Sequence, residues 1–446
     1  MIKSGINSNR SKNIVHHISW SLIYKAGTII ANFLLVPLTI GYLNTSNYGI
    51  WLTLSSFITW FSFFDIGLGN GLRNKFAEAK VLGNTDAAQR YVSTAYFTIG
   101  LISFILIIAF LFINYFIEWT SVFNTSNSLR NELRILLPVT FSFFALQLVL
   151  KLIINIYQAS QDHSINDKIQ FIGQITSLAF IWILTKTNHS SLLLFGIIFS
   201  ALPVLILIWL NIFAFKTKYI NYKPSMSNWS SAYLKDITGL GFYFFITKLG
   251  ALVLLSTDSF IIIQLYGPTE VVPYNLAYKY FSILIILYSI IINPYWSSFT
   301  DAYARNDIQW IKNSVNTIQK LWFIVPVGLT VMILLANKFY YFWVGDEVEI
   351  PISLSLSMAL FVLLHTFNQI YNQFINGVGK IKLHVFISIA TIIINIPLSI
   401  FLAKNLGFNL SGIILASCIC LLFKIVLLPI QYHKIINNKA KGIWNT

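Results

Sequence analysis

Residues 91–116 read Tyr-Val-Ser-Thr-Ala-Tyr-Phe-Thr-Ile-Gly-Leu-Ile-Ser-Phe-Ile-Leu-Ile-Ile-Ala-Phe-Leu-Phe-Ile-Asn-Tyr-Phe, without one Asp, Glu, Lys or Arg. A helix crossing a bilayer needs about 20 consecutive apolar residues, and this run supplies them. The pattern recurs on both sides. Apolar runs at 18–40, 48–66, 91–116, 135–157, 169–186, 192–215, 240–265, 275–297, 318–337, 352–374, 383–404 and 411–432 predict twelve transmembrane helices in an all-α integral membrane protein. Several contain proline (Pro37, Pro138, Pro203, Pro326, Pro397), which membrane helices tolerate where neighbours satisfy the freed carbonyls.

Composition agrees. Of 446 residues, 56% are hydrophobic and only 10% charged, against about 25% charged in a soluble domain. Twelve helices use about 240 residues; the remainder suffices for loops and tails, not for a large soluble domain. The first apolar run follows Lys3, Arg10 and Lys12, is too long for a signal peptide and lacks a small-residue cleavage site, so it is expected to stay as the first helix. Cys418 and Cys420 lie inside an apolar run, where packing is expected rather than a metal or a disulfide.

The net charge of +15 is a topology signal. With both termini inside, the inner segments hold twenty of the 30 basic residues, and the outer segments hold five: Arg130, Arg134, Lys186, Lys338 and Lys404. Acids divide seven to six. Basic residues follow the side and acids do not, as the positive-inside rule requires. No basic stretch alternates with aromatics on a polar face, so nucleic acid is not an expected partner. The expected location is the bacterial inner (plasma) membrane with both termini cytoplasmic.

Five basic residues lie within spans: Lys25, Lys151, Lys248, Lys279 and Lys424. An intramembrane Lys costs about 2.5–3.5 kcal/mol at a helix centre. Snorkelling to the headgroups explains Lys151 and Lys279 as well as function does. Lys25 and Lys248 are deeper, and Lys424, deepest, has no acid in its span, which suggests a water-filled cavity. A cavity lined by Lys attracts anions. Asp258 is the acid deep in a span, a candidate for coupling or gating, with a structural ion pair as the bland alternative. His365 titrates near neutrality or is buried and hydrogen-bonded.

The halves resemble each other. Tyr24-Lys25-Ala26-Gly27 aligns with Thr247-Lys248-Leu249-Gly250 at an offset of 223, and Gly41 with Tyr48 matches Gly267 with Tyr274. Six spans per half is even, so both enter the membrane in one direction, the parallel-repeat arrangement of some transporters. The expected division is an N-terminal lobe at 1–215, an inter-lobe linker at 216–239 and a C-terminal lobe at 240–446. The chain has no Gly-x-x-x-x-Gly-Lys-Ser/Thr loop and no His-Glu-x-x-His. No ATPase, metal or cofactor is expected, and the energy would come from an ion or substrate gradient.

The block from Tyr48-Gly49-Ile50-Trp51 through Phe64-Asp65-Ile66-Gly67-Leu68-Gly69-Asn70-Gly71-Leu72-Arg73-Asn74-Lys75 resembles the second helix and following loop of bacterial O-antigen and polysaccharide flippases, within the multidrug/oligosaccharidyl-lipid/polysaccharide exporter superfamily. Ser256-Thr257-Asp258-Ser259-Phe260, Leu265-Tyr266-Gly267 and Tyr274 are similar to that family's seventh helix, and Asn376-Gly377-Val378-Gly379-Lys380 to its loop after the tenth. The resemblance implies a MATE-like fold of two six-helix lobes in a V around a cationic lumen. It implies a flippase moving undecaprenyl-pyrophosphate-linked oligosaccharide from the cytoplasmic to the periplasmic leaflet by alternating access. It also implies H+ or Na+ as coupling ion, and a polysaccharide polymerase and chain-length regulator as partners. The family's basic lumen positions are not fixed in sequence, so the Lys assignments rest on the residues themselves. The expected roles are pyrophosphate capture by Lys25 and Lys248, glycan contacts from Asn32, Gln147, Asn155, Gln369 and Asn372, and bracing of the second helix and its loop by Asp65, Gly67, Gly69 and Arg73.

Two alternatives stand beside this. A polysaccharide polymerase or ligase needs a sizeable outer loop, and the longest here, about 117–134, is short. A multidrug antiporter of the same fold needs lumen acids for organic cations, where this chain offers Lys.

Overall fold

The computed structural model describes residues 2–60, 68–160, 162, 164–187, 190–238, 249, 252 and 256–445. Those residues are helices and short connections, with no strand among them. They cluster into two units, one of Met1–Trp51 with Phe61–Phe242, the other of Leu52–Trp60 with Tyr243–Thr446.

The first unit comprises α1 (Ile2–Leu43), the start of α2 (Thr45–Trp60), α3 (Leu68–Val81), α4 (Thr85–Phe116), α5 (Arg130–Leu150), α6 (Leu152–Ala159), α7 (Ile165–Leu184), α8 (Leu192–Lys216) and α9 (Ser231–Thr238). The second holds the end of α2, then α10 (Asp258–Tyr266), α11 (Val271–Ile292), α12 (Tyr295–Ala304), α13 (Ile308–Trp322), α14 (Ile324–Val344), α15 (Ile352–Val378), α16 (Lys382–Ile400) and α17 (Asn409–Ile436).

Nine segments among the described residues are long and apolar enough to cross a membrane, which makes this a multi-pass membrane protein. The expected span 169–186 is present as α7, whose first two turns carry Asp167, Lys168 and Gln170 and leave it less apolar than the others. The expected spans 48–66 and 240–265 lie partly outside the described residues. In α4 the apolar run behaves as its composition requires. Phe104, Phe112 and Phe116 point outward, about two-thirds exposed, as lipid-facing side chains do, while Ser93, Thr94 and Ser103 are buried.

Hydroxyls along α4 hold the segment expected to be a linker. Ser93 Oγ accepts from Ser225 N at 3.1 Å, Thr94 Oγ1 from Ser230 N at 3.2 Å, and Thr98 Oγ1 from Trp229 Nε1 at 3.1 Å. Residues 216–238 are therefore fastened along α4 as part of the first unit.

Two expected spans are interrupted. The run at 318–337 lies within α13 and α14, with a break at Phe323. Pro326 explains it, because its ring clashes with the carbonyl four residues back, at Trp322. Before the break, α13 is amphipathic: Ile311, Ser314, Val315 and Ile318 are buried, and Lys312, Asn313, Asn316 and Lys320 are exposed. The fourth span breaks at Lys151, between α5 and α6. There Asn211, buried in α8, donates to the Leu150 carbonyl at 3.0 Å and accepts from Tyr96 Oη at 2.7 Å. Such interhelical hydrogen bonds are worth on average about 0.6 kcal/mol in a folded membrane protein.

In the second unit α16 ends in a π turn, Phe401–Asn405. Tyr266 Oη donates to the Ala403 carbonyl there at 3.0 Å. A Cβ on Gly412 would lie 2.7 Å from Ala403 N and Leu402 C, so α17 meets this turn backbone to backbone, and only glycine allows that approach.

Candidate functional site

The polar interior of the second unit begins at Asp258. It opens α10, where a helix N-terminus favours negative charge. It is 3% exposed and accepts a hydrogen bond from Tyr274 Oη on α11. One residue along each helix, Asn275 Nδ2 donates to Ser259 Oγ at 3.1 Å. These two side-by-side bonds fasten α10 to α11 across the turn at Gly267, whose φ of +90° suits glycine. The second carboxylate oxygen of Asp258 is buried with no hydrogen-bond partner among the described residues. The ion pair considered for Asp258 is replaced, among those residues, by a tyrosine of its own unit. In the sequence Tyr274 stands out as a repeat match and in the resemblance to the family's seventh helix, not as a partner of Asp258.

Lys424 sits near the middle of α17 and is 5% exposed. Among the described residues it has no ion pair or hydrogen bond. Within this unit its side chain lies where α15, α16 and α17 meet. The ammonium interacts electrostatically with His365 of α15, His384 of α16 and Cys420 of its own helix. His384 is 6% exposed and its Nδ1 has no partner among the described residues. Nothing in its local sequence marks it as a neighbour of Lys424. Cys418 and Cys420 are free thiols, buried in the packing. The described residues hold no group of three or more His, Cys, Asp and Glu that could bind a metal.

A polar stripe descends α15 beside this cation. His365, Gln369, Asn372 and Asn376 are spaced four, three and four apart, which places them on one helix face. Gln369 Nε2 lies 3.1 Å from His365 Nε2, and Asn376 Nδ2 donates to Asn372 Oδ1 at 3.3 Å. The Gln369 carbonyl oxygen is buried without a partner among the described residues. Behind the stripe, Gln373 Nε2 donates to Asn293 Oδ1 at 2.9 Å, and Trp322 Nε1 to Thr366 Oγ1 at 3.1 Å. In the bilayer such amides need partners, and this face offers them to a polar guest.

In the first unit Lys25 lies 3.9 Å from Asp167 at the start of α7, with 40% of its side chain exposed. The acid comes from a helix 142 positions along the chain, so the span that holds Lys25 gave no sign of it. Lys151 is exposed at the α5–α6 break. Asn32 Nδ2 turns back to the Thr28 carbonyl at 3.0 Å. Gln147 and Asn155 are half-buried, flanking the same break. Arg73 donates to Gln158 Oε1 at 3.4 Å, tying α3 to α6, and Gly69 is buried in α3. Lys279, in α11, is half-buried. Asp65, Gly67 and Lys248 lie outside the described residues. Lys424 and His365 are thus brought together, close to the stripe bearing Gln369 and Asn372; Asp258 is in electrostatic range of Cys418 and Cys420, which precede Lys424 on α17.

Comparison with known proteins agrees with this fold. A family described as "Polysaccharide biosynthesis protein" matches residues 14–300, and the MatE family matches 245–401. A protein named for O-antigen export in Yersinia pseudotuberculosis is 22% identical over 80% of this chain and 81% of its own length. One named as an O-antigen transporter in Salmonella typhimurium is 22% identical over 83% of this chain and 84% of its own. Among solved structures, the inward-facing conformation of a multidrug resistance MATE family transporter has a TM-score of 0.72 at 12% identity, covering 94% of this chain and 96% of that one. Its outward-facing counterpart has a TM-score of 0.68 at 13% identity, covering 96% of each chain. With the first model matching well over half its length, the chain belongs to the polysaccharide biosynthesis protein family, on a MATE-like membrane fold.

Proposed function

We propose that this protein is a flippase that carries an undecaprenyl-pyrophosphate-linked oligosaccharide, an O-antigen or related repeat unit, from the cytoplasmic to the periplasmic leaflet of the inner membrane. The observation that carries this reading is the pairing of Lys424 with the polar stripe of α15. An ammonium with no acidic partner among the described residues suits a pyrophosphate, which Lys meets as a flexible point charge. Amides at Gln369, Asn372 and Asn376 suit sugar hydroxyls. The lipid tail stays in the bilayer throughout.

Lys25 is a second capture point. Its contact with Asp167 is long and half open, so a pyrophosphate, with more charge than one carboxylate, displaces it. Lys248, Lys151 and Lys279 are the further candidate cations for the cargo, by their place within the expected spans. Asp258, with one carboxylate oxygen open to a proton or Na+, serves as the coupling group. No nucleotide-binding loop occurs in the sequence, so the gradient of an ion or of the cargo drives the cycle.

A strain lacking the gene should lose surface polysaccharide and regain it from a plasmid copy, with drug susceptibility unchanged. Intact glycan together with raised drug susceptibility would instead support the multidrug antiporter.

A further inference from the structure

The first unit carries a second cluster of cations, outside the spans. Lys80 is in the last turn of α3, Ser160 closes α6, and Lys218 follows α8. These positions lie in the connections between expected spans two and three, four and five, and six and seven, which belong to one membrane face. Lys80 Nζ donates to Ser160 Oγ at 2.8 Å and lies 5.8 Å from the Tyr219 ring centre. Lys218 Nζ lies 5.5 Å from that same centre and 5.0 Å from the Tyr157 ring. Two ammoniums thus flank one aromatic ring, and neither has an ion-pair partner among the described residues.

The floor beneath them is rigid. Tyr219 N donates to the Ala214 carbonyl at 2.8 Å, folding the chain back under α3. Tyr219 is 1% exposed, and Phe76 of α3 packs edge-on against Tyr219 and Tyr222. The Tyr219 hydroxyl is buried with no hydrogen-bond partner among the described residues, although Ser160 stands beside it. Burial, and after it the charge of Lys218, lowers the proton affinity of Lys80. The Ser160 hydroxyl and the tyrosine rings offset part of the cost of holding two cations together, and no described acid forms an ion pair with either. Asp162, in the same connection, is in electrostatic range of Tyr157 and Tyr219 and is within 3.5 Å of Ser164 Oγ. Arg73, two turns before Lys80 on the same face of α3, adds a third cation, held to Gln158.

We propose that Lys80, Lys218, Ser160 and Tyr219 form a binding site for the phosphate of a membrane-borne lipid. A phosphate bridging the ammoniums offsets their repulsion, accepts from the Ser160 and Tyr219 hydroxyls, and leaves its acyl or prenyl chain in the bilayer. Two lipids carry this chemistry, an anionic phospholipid and a polyprenyl pyrophosphate. The site does not depend on the flippase reading, because binding is measured without transport.

The test uses the full-length protein, purified and delipidated in detergent, and titrated separately with phosphatidylglycerol, undecaprenyl pyrophosphate and inorganic pyrophosphate. Retained ligand is read by native mass spectrometry. K80Q/K218Q should weaken binding of the preferred lipid about ten- to thirty-fold, and K80R/K218R should restore it. Tighter binding of undecaprenyl pyrophosphate identifies the carrier lipid, and tighter phosphatidylglycerol identifies bulk lipid. Unchanged lipid binding in K80Q/K218Q, with or without lost thermal stability, would show that the lysines only latch the three connections and would overturn the site. If the double variant does not purify intact, Tyr219→Phe decides. A loss of several-fold supports the site, and wild-type affinity overturns it.

Discussion

Replacing Lys424 with Met is expected to abolish surface polysaccharide while raising the thermal stability of the purified protein. The two effects have one cause. Lys424 holds a charge in the interior of the second unit, 5% exposed, with no acid bonded to it among the described residues. A Lys at the centre of a membrane helix costs about 2.5–3.5 kcal/mol. Met has nearly the same length and volume and no charge, so the packing among α15, α16 and α17 is kept. Replacing buried charge by apolar side chains of similar volume gains about 1–4 kcal/mol in measured cases, and a gain of that order appears as an upward shift in melting temperature. The cargo loses its ammonium, and complemented cells should make less than a tenth of the wild-type surface glycan. Wild-type glycan in Lys424→Met cells would remove Lys424 from the substrate path. A drop in stability would mean that the ammonium is a structural link.

Gly71→Ala should be among the most destabilising single-methyl changes in the chain. A Cβ there would stand 2.1 Å from the Ile237 carbonyl oxygen and 2.6 Å from Ile237 Cγ2. The nearest obstacle is backbone, which cannot rotate away as a side-chain tip can. Either α9 lifts from α3 or α3 bends. Overpacking of this kind costs about 1–3 kcal/mol and occasionally more. Gly100→Ala, in α4, is the control. Its added methyl meets nothing within 4 Å, and alanine in a helix interior gains about 0.5–1 kcal/mol over glycine. Thermal unfolding of the two variants should move in opposite directions from wild type. A Gly71→Ala protein that melts with wild type would show that α9 does not rest on α3.

The spans were legible in the sequence because a bilayer imposes one simple demand, sustained apolarity over a fixed length. Their interruptions were less so. Pro326 marks the α13–α14 break by a local steric rule, whereas the break at Lys151 depends on Asn211 reaching across from α8, which local sequence does not reveal. The candidate site divides in the same way. Asp258, His365 and Lys424 stood out because ionisable groups are rare in lipid. What they touch did not. His384 reaches the Lys424 neighbourhood only when α16 packs on α17, and Tyr274 reaches Asp258 only through the turn at Gly267. Asp167 reaches Lys25 from another helix, so the span around Lys25 does not show it. Lys80 and Lys218 were absorbed into the topological charge bias, and only the fold shows that they share Tyr219.

Transport itself can be measured in proteoliposomes holding the purified protein and a fluorescent undecaprenyl-pyrophosphate oligosaccharide, with a membrane-impermeant reagent reporting the leaflet of the label. Protein-dependent movement of the labelled lipid to the opposite leaflet, lost in Lys424→Met, is the expected result. Wild-type vesicles that move no more label than protein-free ones, under imposed H+ and Na+ gradients alike, would contradict the flippase function.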